Sequence, residues 1–164
     1  MNKLVFTLLL IILLSSCGEY SKVLNKGKNA DRYKMAVELY ESENYRKAIP
    51  LFEKLIGPYS GKPQMERIQY MVANSYYKTE DYNMSSYYFS KFIVNYSESS
   101  KVEEAAFLAA KSYYLASPKY SLDQQDTEKA LSAFQSYIDT YPNSELITEA
   151  NEIYRGLVTR LEKK

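Results

Sequence analysis

The chain of 164 residues is 25% charged and 46% hydrophobic, with 18 Tyr and 6 Phe but no Trp, no His and one Cys, a composition that fits one soluble α-rich domain. Without His there is no Ser-His-Asp or Cys-His nucleophile, no histidine general base and no zinc site of the usual Cys/His kind, and the lone Cys17 leaves no intramolecular disulfide and no catalytic cysteine in the folded part. Lys and Arg number 21 against 20 Asp and Glu, and Lys3 is the one charge in residues 1–16, so the remainder is neutral and has no basic stripe to grip nucleic acid.

The first element is a leader. Lys3 gives a positive start, and Leu4 to Leu14 contains only Thr7 as a polar residue, which is the apolar core of a secretory signal. A bilayer-spanning helix needs about 20 apolar residues, so this run is too short to stay as a transmembrane anchor. Leu14-Ser15-Ser16-Cys17-Gly18 follows and resembles a bacterial lipobox. The resemblance implies that residues 1–16 are removed and that Cys17 is acylated and holds the chain to a lipid bilayer. No Asp follows the Cys and Gly18-Glu19 opens no acidic run, which by the same resemblance implies the outer membrane and its periplasmic face. Residues 17–30 read as the lipidated cysteine and a tether, since 18–30 shows no sustained periodicity; fully extended, it would reach roughly 40 Å.

The body repeats with an offset of 37 residues. That offset carries Tyr33 to Tyr70 to Phe107, Ala36 to Ala73 to Ala110, and Tyr40 to Tyr77 to Tyr114. Each first segment has a second, in which a small residue precedes an aromatic by four: Ala48 and Phe52, Ser85 and Phe89, then, after an insertion of eight residues, Ala130 and Phe134. Apolar residues three further on, Leu55, Phe92 and Tyr137, complete one face of a helix. These helix-turn-helix units resemble tetratricopeptide repeats, with Pro142 in the turn that ends a repeat. The expected fold is all-α, a tetratricopeptide superhelical solenoid of about seven helices over residues 31–164, with units at about 31–63, 64–100 and 101–144 and a half unit at 145–164. Gly57 to Pro63 reads as a lengthened turn, Ser100-Lys101-Val102-Glu103 as a capping box, and Pro50 as the site of a kink. Phe52, Phe89, Phe134, Tyr76 and Tyr113 are expected in the core.

First helices line the concave face of a tetratricopeptide array, and residues seven apart point the same way. The repeat therefore stacks Tyr33, Tyr40, Tyr70, Tyr77, Phe107 and Tyr114 in two columns, with Asn74 and Lys111 between them and Arg67 and Lys78 nearby. One reading is a peptide-binding groove, because tyrosine offers a flat surface at low entropic cost and Arg67, Lys78 and Lys111 suit a carboxylate. The other is that these rings pack between helices as core. Glu103-Glu104 and Glu41 with Glu43 read as solvated helix faces and not as acid–base pairs. No catalytic residue, metal ligand or cofactor site is indicated.

Ser117-Pro118 followed by Leu122-Asp123-Gln124, Thr127 and Ala130 is similar to the Ser-Pro…Leu-Asp-Gln-x-x-Thr-x-x-Ala stretch of the BamD family, the tetratricopeptide lipoproteins of the outer-membrane β-barrel assembly machine. Phe134-Gln135-Ser136-Tyr137-Ile138-Asp139-Thr140-Tyr141-Pro142-Asn143-Ser144 is similar to that family's Phe-Gln-x-Phe-Ile-x-x-Tyr-Pro-x-Ser. Within such an insertion Asp126 or Thr127 would cap the next helix and Leu122 would tuck onto the stack. The resemblance, from Cys17 to the chain end, implies a non-enzymatic factor that recruits unfolded barrel precursors ending in an aromatic residue and cooperates with BamA and other subunits of the machine. That family carries five repeats, the later ones associated with BamA, and three and a half stand here. A periplasmic tetratricopeptide adaptor of envelope-division or peptidoglycan machinery is the alternative, and an envelope enzyme using an acidic pair a more distant one.

Overall fold

The computed structural model describes residues 18–117 and 125–162, and all regular elements among them are helices. They are α1 (18–26), α2 (Asn29–Glu41), α3 (Tyr45–Tyr59), α4 (Gln64–Lys78), α5 (Tyr82–Asn95), α6 (Val102–Ala116), α7 (Gln125–Thr140) and α8 (Ile147–Glu162). From α2 onward each helix packs on the next in the chain, giving the pairs α2–α3, α4–α5 and α6–α7 with α8 on the last. The first helices α4 and α6 also touch across the intervening α5. This is the expected solenoid, with its first helices on the inner side.

Local chemistry sets the repeat. The turns after α2 and α4 place Glu43 (φ 59°) and Glu80 (φ 64°) in the left-handed region at equivalent positions. In the first turn the Glu43 amide donates to the Tyr40 carbonyl and the Asn44 amide to the Leu39 carbonyl; in the second, Glu80 and Asp81 donate to Tyr77 and Tyr76. These paired bonds satisfy carbonyls that a helix end leaves free and turn the chain back at once. Asp81 then caps α5 by accepting the Met84 amide at 3.2 Å.

The core runs along the stack. Phe52, Phe89 and Phe134 are fully buried against the small residues Ala48, Ala73 and Ala110, as expected, and Tyr76 is nearly so. Tyr113, also expected in the core, is only half-buried, its hydroxyl meeting Ser90 at 3.2 Å near the surface. Where α5 crosses α6, the buried Ser85 and Ser112 hydroxyls pair at 2.9 Å. Ser117 and Thr127 pair likewise at 2.9 Å across the third-unit insertion.

Four local expectations are corrected. Residues 18–26, read as part of a tether, are helical because Tyr20, Val23 and Leu24 find apolar cover on the first unit. The turn to α2 needs Gly27, where a Cβ would lie 2.5 Å from the Val23 carbonyl oxygen. Gly57 and Pro58 belong to α3, which runs through Pro50 and ends at Tyr59, whose ring stacks on Tyr33 at 5.7 Å. The capping box at Ser100 does not form: Lys101 precedes α6 without a side-chain cap, and its amide donates to Ser99 Oγ at 3.1 Å. Thr127 bonds to Ser117, and Asp126 is held by Lys129 at 3.2 Å. Leu122 lies outside the described residues.

Candidate peptide-binding groove

The ladder residues divide between the two readings. Phe107 is buried, edge-on to Phe134 at 6.1 Å and Tyr137 at 5.5 Å, and belongs to the core. Tyr33, Tyr40, Tyr70, Tyr77 and Tyr114 are half-buried. Their rings lean on neighbouring second helices: Tyr40 on Phe52 at 6.3 Å, Tyr70 on Phe89 at 5.8 Å and Phe92 at 5.6 Å, Tyr77 on Tyr82 at 5.9 Å. The hydroxyl ends of Tyr40, Tyr70 and Tyr77 reach toward the next first helix. Asn74 Nδ2 donates to the Tyr40 hydroxyl, the Tyr70 hydroxyl meets Glu104, and that of Tyr77 meets Lys111. Tyr40, Tyr70 and Tyr77 thus each pack edge-on against a second helix and join two units with the hydroxyl.

A cavity of about 440 Å³ opens between the first two units. Tyr40, Tyr70, Met71, Phe92 and Pro63 form its apolar wall, and Glu41, Glu66, Arg67 and Lys101 its rim. Both cations are already engaged: Arg67 Nη2 lies 3.2 Å from Glu41, and Lys101 Nζ lies 2.8 Å from Glu104 and 5.4 Å from the centre of the Tyr70 ring. Burial first, then the hydrogen bond to Glu104 and that carboxylate's charge, push the Tyr70 hydroxyl far above the usual tyrosine pKa, so it stays a donor. For Glu104, burial opposes ionisation, but hydrogen bonds from Lys101 and Tyr70 and the charge of Lys101 outweigh it and lower its pKa.

The same device recurs one unit on. Lys111 lies 2.7 Å from Glu149 and 5.5 Å from the Phe107 ring centre; the Glu149 bond outweighs burial and raises its pKa. Arg160 sits over Tyr114 at 5.6 Å. Lys78, grouped with these cations by sequence, is instead at the exposed end of α4, in a separate cavity of about 430 Å³ with Glu43, Tyr45, Arg46 and Glu80. Cys17 lies outside the described residues. Sequence reading missed the carboxylates of Glu41 and Glu149 as partners of the groove cations, and took Lys101 only as part of a capping box. Their one sequence signal is position, an acid or base at the end of a first helix facing its counterpart in the next unit.

An array of paired helices with an aromatic, charge-paired inner face defines a helical-repeat scaffold. The model of the YfiO outer membrane lipoprotein family matches residues 25–163, and the chain belongs to that family. No curated protein matches the sequence.

Proposed function

We propose that the chain is an assembly factor of the BamD type, held by an acylated Cys17 on the periplasmic face of the outer membrane. It captures unfolded β-barrel precursors in the α2–α4–α6 groove, passes them to BamA and makes or breaks no covalent bond. Family membership over residues 25–163 supports the outer-membrane setting. The observation that carries the binding role is the cavity itself, which sets an apolar wall of Tyr70, Met71 and Phe92 beside Arg67 and Lys101.

An aromatic chain end fits that chemistry: the ring lies on the apolar wall and the carboxylate meets the two cations. To do so it displaces Glu41 from Arg67 and Glu104 from Lys101, trading one solvent-screened ion pair for another. Such exchanges gain little, about 1 kcal/mol or less each. Capture is therefore weak and reversible, as hand-over requires.

The test is anisotropy with a labelled peptide matching a barrel C-terminus, carrying either a free or an amidated terminal aromatic residue. The free acid should bind about tenfold more tightly, and Arg67→Ala with Lys101→Ala should erase that preference while leaving the helical circular dichroism intact. Equal binding of the two peptides, or crosslinked recovery of envelope-division proteins without barrel precursors, would overturn the proposal.

A further inference from the structure

The 40 Å reach expected of residues 18–30 does not exist. Helix α1 starts at Gly18, the residue directly after Cys17, and is fastened to the first unit. The Tyr20 hydroxyl donates to the Lys47 carbonyl at 3.0 Å, Arg32 Nε donates to the Leu24 carbonyl at 3.2 Å, and Val23 and Leu24 pack on the core. A lipid on Cys17 therefore has no slack, and the surface around Gly18 is brought to the bilayer.

That surface is made for the meeting. In α1 the residues Tyr20, Val23 and Leu24 face inward, while Ser21, Lys22, Asn25 and Lys26 are exposed on the opposite side. Lys47, at the start of α3, is exposed and lies 5.8 Å from the Tyr20 ring centre. Glu19 is the single acidic residue of α1. Among the described residues Lys22, Lys26 and Lys47 take part in no ion pair, whereas Arg67, Lys101 and Lys111 in the groove each have a carboxylate within 3.2 Å. Lys22 and Lys26 thus stand exposed and outside any ion pair within ten residues of the anchor.

We propose that the outward face of α1 and the start of α3 dock on the anionic phospholipid headgroups of the leaflet that holds the anchor. The inference rests on the reading of Cys17 as acylated. Docking fixes the array's orientation, with its first repeat against the membrane and the later units projecting away from it. A cation near an anionic leaflet gains about fivefold in partition for each lysine, and a lipid tether of one residue holds all three within that field.

The experiment uses the acylated, processed protein in vesicles of phosphatidylethanolamine with phosphatidylglycerol, labelled at Asn25→Cys or, as a remote control, at Val94→Cys, which is 81% exposed on α5. A quencher attached to lipid headgroups should quench the Asn25 label at least threefold more than the Val94 label. Lys22→Gln, Lys26→Gln and Lys47→Gln together, or replacement of phosphatidylglycerol by phosphatidylcholine, should at least halve the difference, the remainder being what the short tether alone imposes. In a second arm the unacylated Cys17→Ser chain should partition onto the anionic vesicles at least tenfold better than its triple-glutamine counterpart. Equal quenching at the two positions in protein that floats with the vesicles would overturn the docked face, as would loss of the lysine dependence in both arms. Failure of the wild-type protein to float would instead remove the anchor on which the inference stands.

Discussion

At the scale of single residues, the two glutamates at positive φ show a cost that the repeat tolerates. An L-residue in the left-handed region is disfavoured by about 1–2 kcal/mol, and glycine escapes that penalty while giving back about 0.5–1 kcal/mol in chain entropy. Glu43 (φ 59°) and Glu80 (φ 64°) both sit where helices commonly end in glycine. Glu43→Gly and Glu80→Gly should each stabilise the fold by about 0.5–1 kcal/mol, measured as a higher urea midpoint with an unchanged slope. A lower midpoint for either would mean that its carboxylate contributes more than the backbone strain removes. Nothing in the composition marks these positions: they follow from the hydrogen bonds that close the turn, and glutamate is a poor advertisement for a left-handed conformation.

Among the elements, small residues at helix crossings decide how closely paired helices approach. Ser85 stands where the other units have Ala48 and Ala130, and its hydroxyl meets Ser112, which also donates to the Leu108 carbonyl at 2.7 Å. Ser85→Ala removes one partner and leaves no orphaned donor, so it should cost less than about 1 kcal/mol. Ser85→Leu forces extra methylenes into a closed crossing and should cost about 1–3 kcal/mol or more. Chemical denaturation of both variants checks the contrast, and similar losses for the two would show that the hydroxyl pair, not the space, governs the crossing. The same small residues made helices α3, α5 and α7 readable, because Ala48, Ser85 and Ala130 keep their distance to Phe52, Phe89 and Phe134, while Ala36, Ala73 and Ala110 did the same for α2, α4 and α6. What escaped reading has a physical reason in each case. Helix α1 is a stripe of only Tyr20, Val23 and Leu24, too short to show a period and stable only through tertiary cover. Gly57-Pro58 carries turn chemistry, yet Tyr59 anchors the helix beyond it by stacking on Tyr33. Half of the candidate site was legible as aromatic spacing. The ion pairs Arg67–Glu41 and Lys111–Glu149 join residues 26 and 38 apart, a spacing set by how the units stack and invisible to periodicity.

For the molecule as a whole, stability is distributed along a line, since each unit touches only its neighbours. The joint between the second and third units is the buried group Ala73, Phe89, Phe92, Ala105 and Ala109, with Tyr70 edge-on to Phe89. Truncating a fully buried phenylalanine costs about 3–5 kcal/mol, comparable with the total stability of a small domain. In a globular protein with one centre that loss would lower a single transition. Here Phe89→Ala should split it: amides of α5 and α6 should lose hydrogen-exchange protection first, while α2 and α3, held by Phe52, Leu55 and Ile68, stay protected to higher urea. Leu157→Ala, equally buried but in α8, weakens the packing of that last helix on α7 and on Phe107 and Ala110 of α6. It should release α8 and leave the main transition in place. Coincident loss of protection in α2, α3, α5 and α6 for Phe89→Ala would show that the units are coupled more strongly than nearest-neighbour packing allows. The contrast bears on the groove, whose cavity is built from α2, α4, α5 and the residue before α6. Phe89→Ala should abolish peptide capture at urea concentrations where Leu157→Ala still binds, because the second breaks a neighbour of the site and the first breaks its wall.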